Sequence, residues 1–147
     1  MNIKSFLESA KILYDNNKYD EALTLVCISV DACASKKYES KYNGEKYKKY
    51  LRDNFSIICK YGFPGIQASC IKIPNIKNVK LITDDKGFVG VEDIIYHLIR
   101  CGLVHECSID ETIELTEKTE IGSDNNKFFI PKDIILGLIA SVESNIN

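Results

Sequence analysis

Between Tyr19 and Lys36 the chain reads YDEALTLVCISVDACASK, a helix-compatible run that is apolar around most of its circumference. Such a helix cannot lie on a surface. It needs apolar neighbours on several sides, and a polypeptide of 147 residues with 45% apolar content can supply them within one domain. One narrow polar strip interrupts it, made of Asp20, Thr24, Asp31 and Ser35. The run therefore predicts the central member of a helical bundle.

The neighbours are legible as amphipathic segments. Ile3, Phe6, Leu7, Ala10, Leu13 and Tyr14 recur at helical spacing over residues 2–15, and Asn16-Asn17 ends that segment. Asn43-Gly44 is a turn signal. A third helix follows it, with Tyr47, Tyr50, Leu51, Phe55, Ile58 and Cys59 turned inward. Ile95, Leu98, Ile99, Gly102 and Leu103 mark a fourth helix over residues 91–107, and Ile134, Ile135, Leu138, Ile139 and Val142 a last one starting near Pro131. Ile113–Thr116 and Lys127–Ile130 read as strands of a small hairpin with a Ser-Asp-Asn-Asn tip. The expected fold class is mainly α: about five bundled helices, with a small β-hairpin before the last, as one domain over residues 1–147.

Residues 61–90 are punctuated by YGFPG, IPN and Asp84-Asp85-Lys86-Gly87, with short extended pieces expected at Ile71–Ile73 and Val79–Thr83. An insertion of this length between helices points to a functional or partner-facing role. No charged-then-apolar leader opens the sequence, and no apolar run approaches the ~20 residues of a membrane span, so a cytoplasmic protein with no membrane partner is expected. Cysteines 27, 33, 59, 70, 101 and 107 include no Cys-x-x-Cys pair. Most read as small buried hydrophobes.

Two segments carry chemistry. In residues 36–60, seven Lys and one Arg face only Glu39, Glu45 and Asp53, with Tyr38, Tyr42, Tyr47 and Tyr50 interleaved. Lys46, Lys48, Lys49 and Arg52 could track a phosphodiester backbone while tyrosines stack on bases. The plainer reading is a solvated face whose side-chain stems cover apolar surface. The second segment is Tyr96-His97-Leu98-Ile99-Arg100-Cys101-Gly102-Leu103-Val104-His105-Glu106, which holds both histidines of the chain and one of its two arginines. His97, Cys101 and His105 stand at i, i+4 and i+8, but no fourth ligand accompanies them, and no metal or other cofactor is expected. Gly102 suits a close helix approach at a dimer seam or else begins the helix's end, and Glu106 solvates the helix terminus.

This string, on a helix that follows an apolar helix bearing an acid, resembles the HEPN superfamily of small helical bundles. Its signature is an arginine, four to six residues and a histidine, here Arg100 and His105. The resemblance implies a homodimer whose two motifs form one metal-independent endoribonuclease cleft, in a defence or toxin–antitoxin system with an antitoxin or other protein partner. It assigns proton transfer to His105 and phosphate clamping to Arg100, roles their chemistries fit. Related bundles often set an acid of the preceding helix against the motif arginine, which would make Asp31 the partner of Arg100; the alternative is that Asp31 only edges the polar strip and meets water. The family usually carries a polar residue directly after the arginine, where this chain has Cys101. A non-catalytic relative that binds RNA, a nucleotide or a protein is therefore the alternative reading. The pattern Leu13-Tyr14 to Tyr19-Asp20-Glu21-Ala22 also matches half of a helical repeat, leaving a repeat-type scaffold as a third reading, though no second copy follows.

Overall fold

A computed structural model describes residues 2–66 and 71–146. The molecule is mainly α. Helix α1 (Ile3–Asp15) is opened by the Asn2 side chain, which accepts a hydrogen bond from the Ser5 N–H, and it turns back through Asn17 into α2 (Tyr19–Lys37). The all-round apolar run lies where its composition requires. α2 packs against α1, against α3 (Asn43–Asp53), against α7 (Ile134–Asn145) and against the helix that contains the Arg100 motif. Leu23, Val26, Cys27 and Val30 are wholly buried in the resulting core.

The expected third helix is divided. Tyr47, Tyr50, Leu51, Phe55, Ile58 and Cys59 all face inward as their spacing requires, but Asn54 separates α3 from α4 (Phe55–Gly62). The Asn54 amide donates to the Tyr50 carbonyl, and its oxygen accepts from Asn145 at the end of α7. A side chain that bonds nearby backbone competes with helix continuation, and here a tertiary partner holds it in place. α4 then crosses α7 at close range. A Cβ on Gly137 would stand 2.4 Å from the Ile58 carbonyl oxygen, so the crossing requires glycine.

The irregular insertion is organised differently from its sequence expectation. An extended piece forms at β1 (Lys72–Pro74), but it pairs antiparallel with β2 (Phe88–Gly90), and residues 79–83 form no strand. Exposure of Val79 and Ile82 leaves only Leu81 of that apolar run to be buried, which is too little for a strand. The segment instead braces another. Asn78 donates to Asp110 and Thr112, and Lys80 pairs with Asp110 at 2.8 Å.

The hairpin before the last helix is present with a changed pairing. Its arms are β4 (Gly122–Ser123) and β5 (Phe128–Pro131), joined through Asp124, whose carboxylate accepts from the backbone of Asn126 and Lys127. β3 (Ile113–Thr116), expected as an arm, instead runs parallel to β5. Pro131 closes β5 and does not open the helix, which begins at Ile134. Among the described residues, no helix is long and apolar enough to cross a membrane. Of the cysteines, Cys27, Cys33 and Cys59 are buried, Cys101 half-buried and Cys107 exposed, with Cys27, Cys33, Cys101 and Cys107 as free thiols; Cys70 lies outside the described residues.

Candidate functional site

The motif helix is continuous but not uniform. It begins as α5 (Val91–Ile94), widens into a π-helical stretch at Ile95–Arg100, and closes as α6 (Cys101–Glu106). A π turn inserts a residue into the helical register, and such turns recur at functional sites. The insertion lets Ile94, Ile95, Leu98 and Ile99 all reach the core while Arg100 is carried inward beside them, to 9% exposure.

Arg100 is gripped from three sides. Its Nε donates to Asp31 Oδ2 at 2.9 Å, Nη1 approaches the Cys101 sulfur at 3.8 Å, and the guanidinium lies 5.3 Å from the centre of the Tyr96 ring. Burial opposes the guanidinium charge, but the hydrogen bond and charge of Asp31 outweigh it and raise the arginine further above its ordinary value. Asp31 is pushed up by its own burial, against the opposing pull of Arg100, Lys46 and His105. The guanidinium is charged at any accessible pH, so the two form an internal ion pair in which both partners are desolvated.

Tyr96 is the hub that sequence reasoning missed. Its ring contacts Tyr47 (5.2 Å between centroids) and His97 edge-on (5.0 Å), with Arg100 and Lys48 over its π face. Gly44 makes room for it, since a Cβ there would lie 3.0 Å from the ring. Beneath, the fully buried Tyr47 hydroxyl has no hydrogen-bond partner among the described residues, with only the weakly polar Cys27 thiol nearby. Burial pushes Cys27 up to about 12 and Tyr47 well above the usual tyrosine value. The i, i+4 spacing of Tyr96 and Arg100 was the available signal.

His97 belongs to a second cluster. Its Nε2 lies 2.9 Å from the Lys48 ammonium, which also pairs with Asp93 at 3.0 Å. Burial, then the Lys48 charge, lower His97 below its ordinary value, against the pull of Asp93. The neutral ring therefore accepts from Lys48. Asp93 was not singled out from sequence, although it stands four residues before His97.

His105 does not join Arg100. The five-residue step between them runs through regular α-helix, which rotates successive side chains by ~100°. Arg100 accordingly points into the bundle and His105 is exposed. The two meet electrostatically at Asp31 and not as a paired constellation. Glu106 is exposed in the same last turn, its charge felt by Lys80. Gly102 faces its own chain: a Cβ there would fall 2.2 Å from the Ser108 carbonyl oxygen. Cys107 ends the helix in the left-handed conformation (φ 56°), the Ser108 N–H bonds the Gly102 carbonyl, and the Asp110 N–H reaches Leu98 O inside the π stretch. The close approach expected at Gly102 is filled by this returning segment.

The four candidate RNA cations are likewise divided. Lys48 is committed to His97 and Asp93. Lys46 is half-buried, 3.4 Å from Ser35 Oγ and near Asp31. Lys49 and Arg52 are exposed on the outer face of α3, Lys49 beside the Tyr38 ring and Asp53.

The sequence profile of the Rv1289 family matches residues 2–143, and the chain belongs to that family. It is similar to the uncharacterized protein Rv1289 of Mycobacterium tuberculosis and the uncharacterized protein Mb1320 of Mycobacterium bovis, each 26% identical over 133 residues and 86% of this chain. The chain spans 62% of the length of these relatives. No solved structure gives a significant match.

Proposed function

We propose that this member of the Rv1289 family is an HEPN-like bundle that binds RNA without cleaving it. In this reading the Asp31–Arg100 pair is an internal strut and the outer face of α3 is the binding surface. The observation that carries the proposal is the direction of Arg100. A guanidinium at 9% exposure, bonded to Asp31 and covered by Tyr96, is spent on the fold and is not presented to a phosphate. Support for RNA as ligand comes from the charge distribution. A protein of formal net charge −2 concentrates lysines and exposed Tyr42 in and around one helix, the combination that holds a backbone and stacks bases. The placement in a defence or toxin–antitoxin system, with a protein partner, rests on the resemblance alone. A cytoplasmic setting agrees with the free thiols of Cys27, Cys33, Cys101 and Cys107.

A second reading, cleavage at a composite site of a homodimer, draws on one observation: the charges of Arg100, Lys46 and His105 are all felt at Asp31. Titration of labelled single-stranded RNA against the protein at several salt concentrations separates the two. Binding should weaken as salt rises, with each phosphate that the protein neutralises adding ~0.7 to the log–log slope. Reversing Lys49 and Arg52 together should therefore flatten that slope by about 1.4. An unchanged slope returns α3 to an ordinary solvated face. The RNA should remain intact throughout. Cleavage in EDTA that leaves 2′,3′-cyclic phosphate ends and vanishes in His105→Ala would establish the second reading instead.

A further inference from the structure

Central as it is, α2 is not covered all the way round. A strip remains open along its length, through Glu21, Leu25, Ile28, Ala32 and Lys36. Its centre is apolar: Ile28 is 38% exposed, with half-buried Leu25 and Ala32 one turn to either side. Its ends are oppositely charged. Asp20 and Glu21 occupy the first turn and Lys36 and Lys37 the last. At the acidic end the strip runs into a cleft of about 480 Å³ that Leu13, Leu25 and Leu103 line beneath the two carboxylates.

The order acid, apolar, base is complementary to itself only when reversed. Glu21 lies ~11 Å before Ile28 and Lys36 ~12 Å after it, at 1.5 Å per residue. Two α2 helices packed antiparallel, with Ile28 near the two-fold axis, therefore place each Glu21 opposite the other copy's Lys36. The same arrangement brings each lysine stem to the cleft below the acidic turn. A parallel arrangement would oppose like charges at both ends. We infer that the open strip of α2 is a self-recognition face whose occupant is a second copy of this chain in antiparallel register about Ile28. An isologous contact is the commonest way for a protein to pair. The face holds independently of RNA binding. It differs from a seam at Gly102, which the chain itself fills, and it sets Asp31 about one turn from the axis.

The charge pattern makes the test specific. Wild-type protein should sediment as a dimer at micromolar concentration. Ile28→Glu, at an exposed position, should give a folded monomer with an unchanged circular-dichroism spectrum. Glu21→Lys alone, and Lys36→Glu alone, should each weaken the dimer by about tenfold or more, because like charges then meet at both ends. Mixed in equal amounts, the two single variants should pair with each other, and a chain carrying both changes should dimerise again. Wild type that stays monomeric at high micromolar concentration overturns the inference. So does a dimer that Ile28→Glu leaves intact, or one in which the two variants fail to complement. Hydrodynamic readout needs no RNA, so failure here and failure of the RNA-binding proposal are distinguishable.

Discussion

Arg100 carries a permanent charge into a core, which the fold tolerates only because Asp31 meets it. Removing one partner of such a pair leaves the other stranded, and the cost exceeds what the intact pair contributes. Arg100→Met should therefore lower stability by about 2–4 kcal/mol in urea denaturation, whereas Arg100→Met combined with Asp31→Leu should recover much of it. Equal losses in the single and double variants would mean that the pair is not coupled. His97 supplies a pH signature. Its folded value is held below the ordinary 6.5 by burial and Lys48, so in acid the unfolded chain binds a proton that the folded chain resists. The stabilising contribution is present above the unfolded value and is lost as pH falls below about 6.5. His97→Gln, which keeps a neutral acceptor for Lys48, should flatten stability across that window; an undiminished slope would assign it to other groups. At this scale, residue types were legible and directions were not. Arg100 and His105 are visible as a pair in the sequence, but which of them faces inward depended on a π turn.

The two helices that end against glycine differ in what a methyl group would disturb. Gly137 sits where α4 crosses α7, and Gly102 where residues 108–110 fold back over α6. Gly137→Ala should destabilise the whole protein by about 1–3 kcal/mol, since backbone faces backbone and neither helix can yield cheaply. Gly102→Ala should act locally. Hydrogen exchange at Ser108 and Asp110 should accelerate while core amides in α2 keep their protection. A uniform loss of protection in Gly102→Ala would show that the returning segment is part of the cooperative core. The helical elements were readable because burial at 3.6-residue spacing leaves a sequence trace: α1, α2 and α7 lie close to where their periodicity puts them. The division at Asn54 and the parallel pairing of β3 with β5 left no such trace. One depends on an asparagine finding Asn145, and the other on which strand edge lies nearest once the helices have packed.

At the scale of the whole molecule, α2 joins the bundle together. It touches α1, α3, α7 and the motif helix, so a cavity within it weakens packing on every side. Leu23→Ala should cost about 3–5 kcal/mol, and helical circular dichroism and tyrosine fluorescence should still report one coincident transition. Separate transitions would mean that the tyrosine-bearing helices around α2 do not unfold with it as one cooperative unit. The sequence by itself determined that the chain is mainly helical, that the run from Tyr19 is central and which faces are buried, because these follow from local periodicity and the cost of exposing apolar surface. It also offered Asp31 as a partner for Arg100, through the family resemblance, beside the alternative that Asp31 only meets water at the edge of the polar strip. Only the tertiary structure decided that Lys48 serves His97, that Tyr96 is the hub, that Ser108 fills the space at Gly102 and that His105 is left outside. Each of these joins residues from separate elements or turns on a one-residue change of helical register, which local pattern does not encode beyond the i, i+4 spacing of Tyr96 and Arg100.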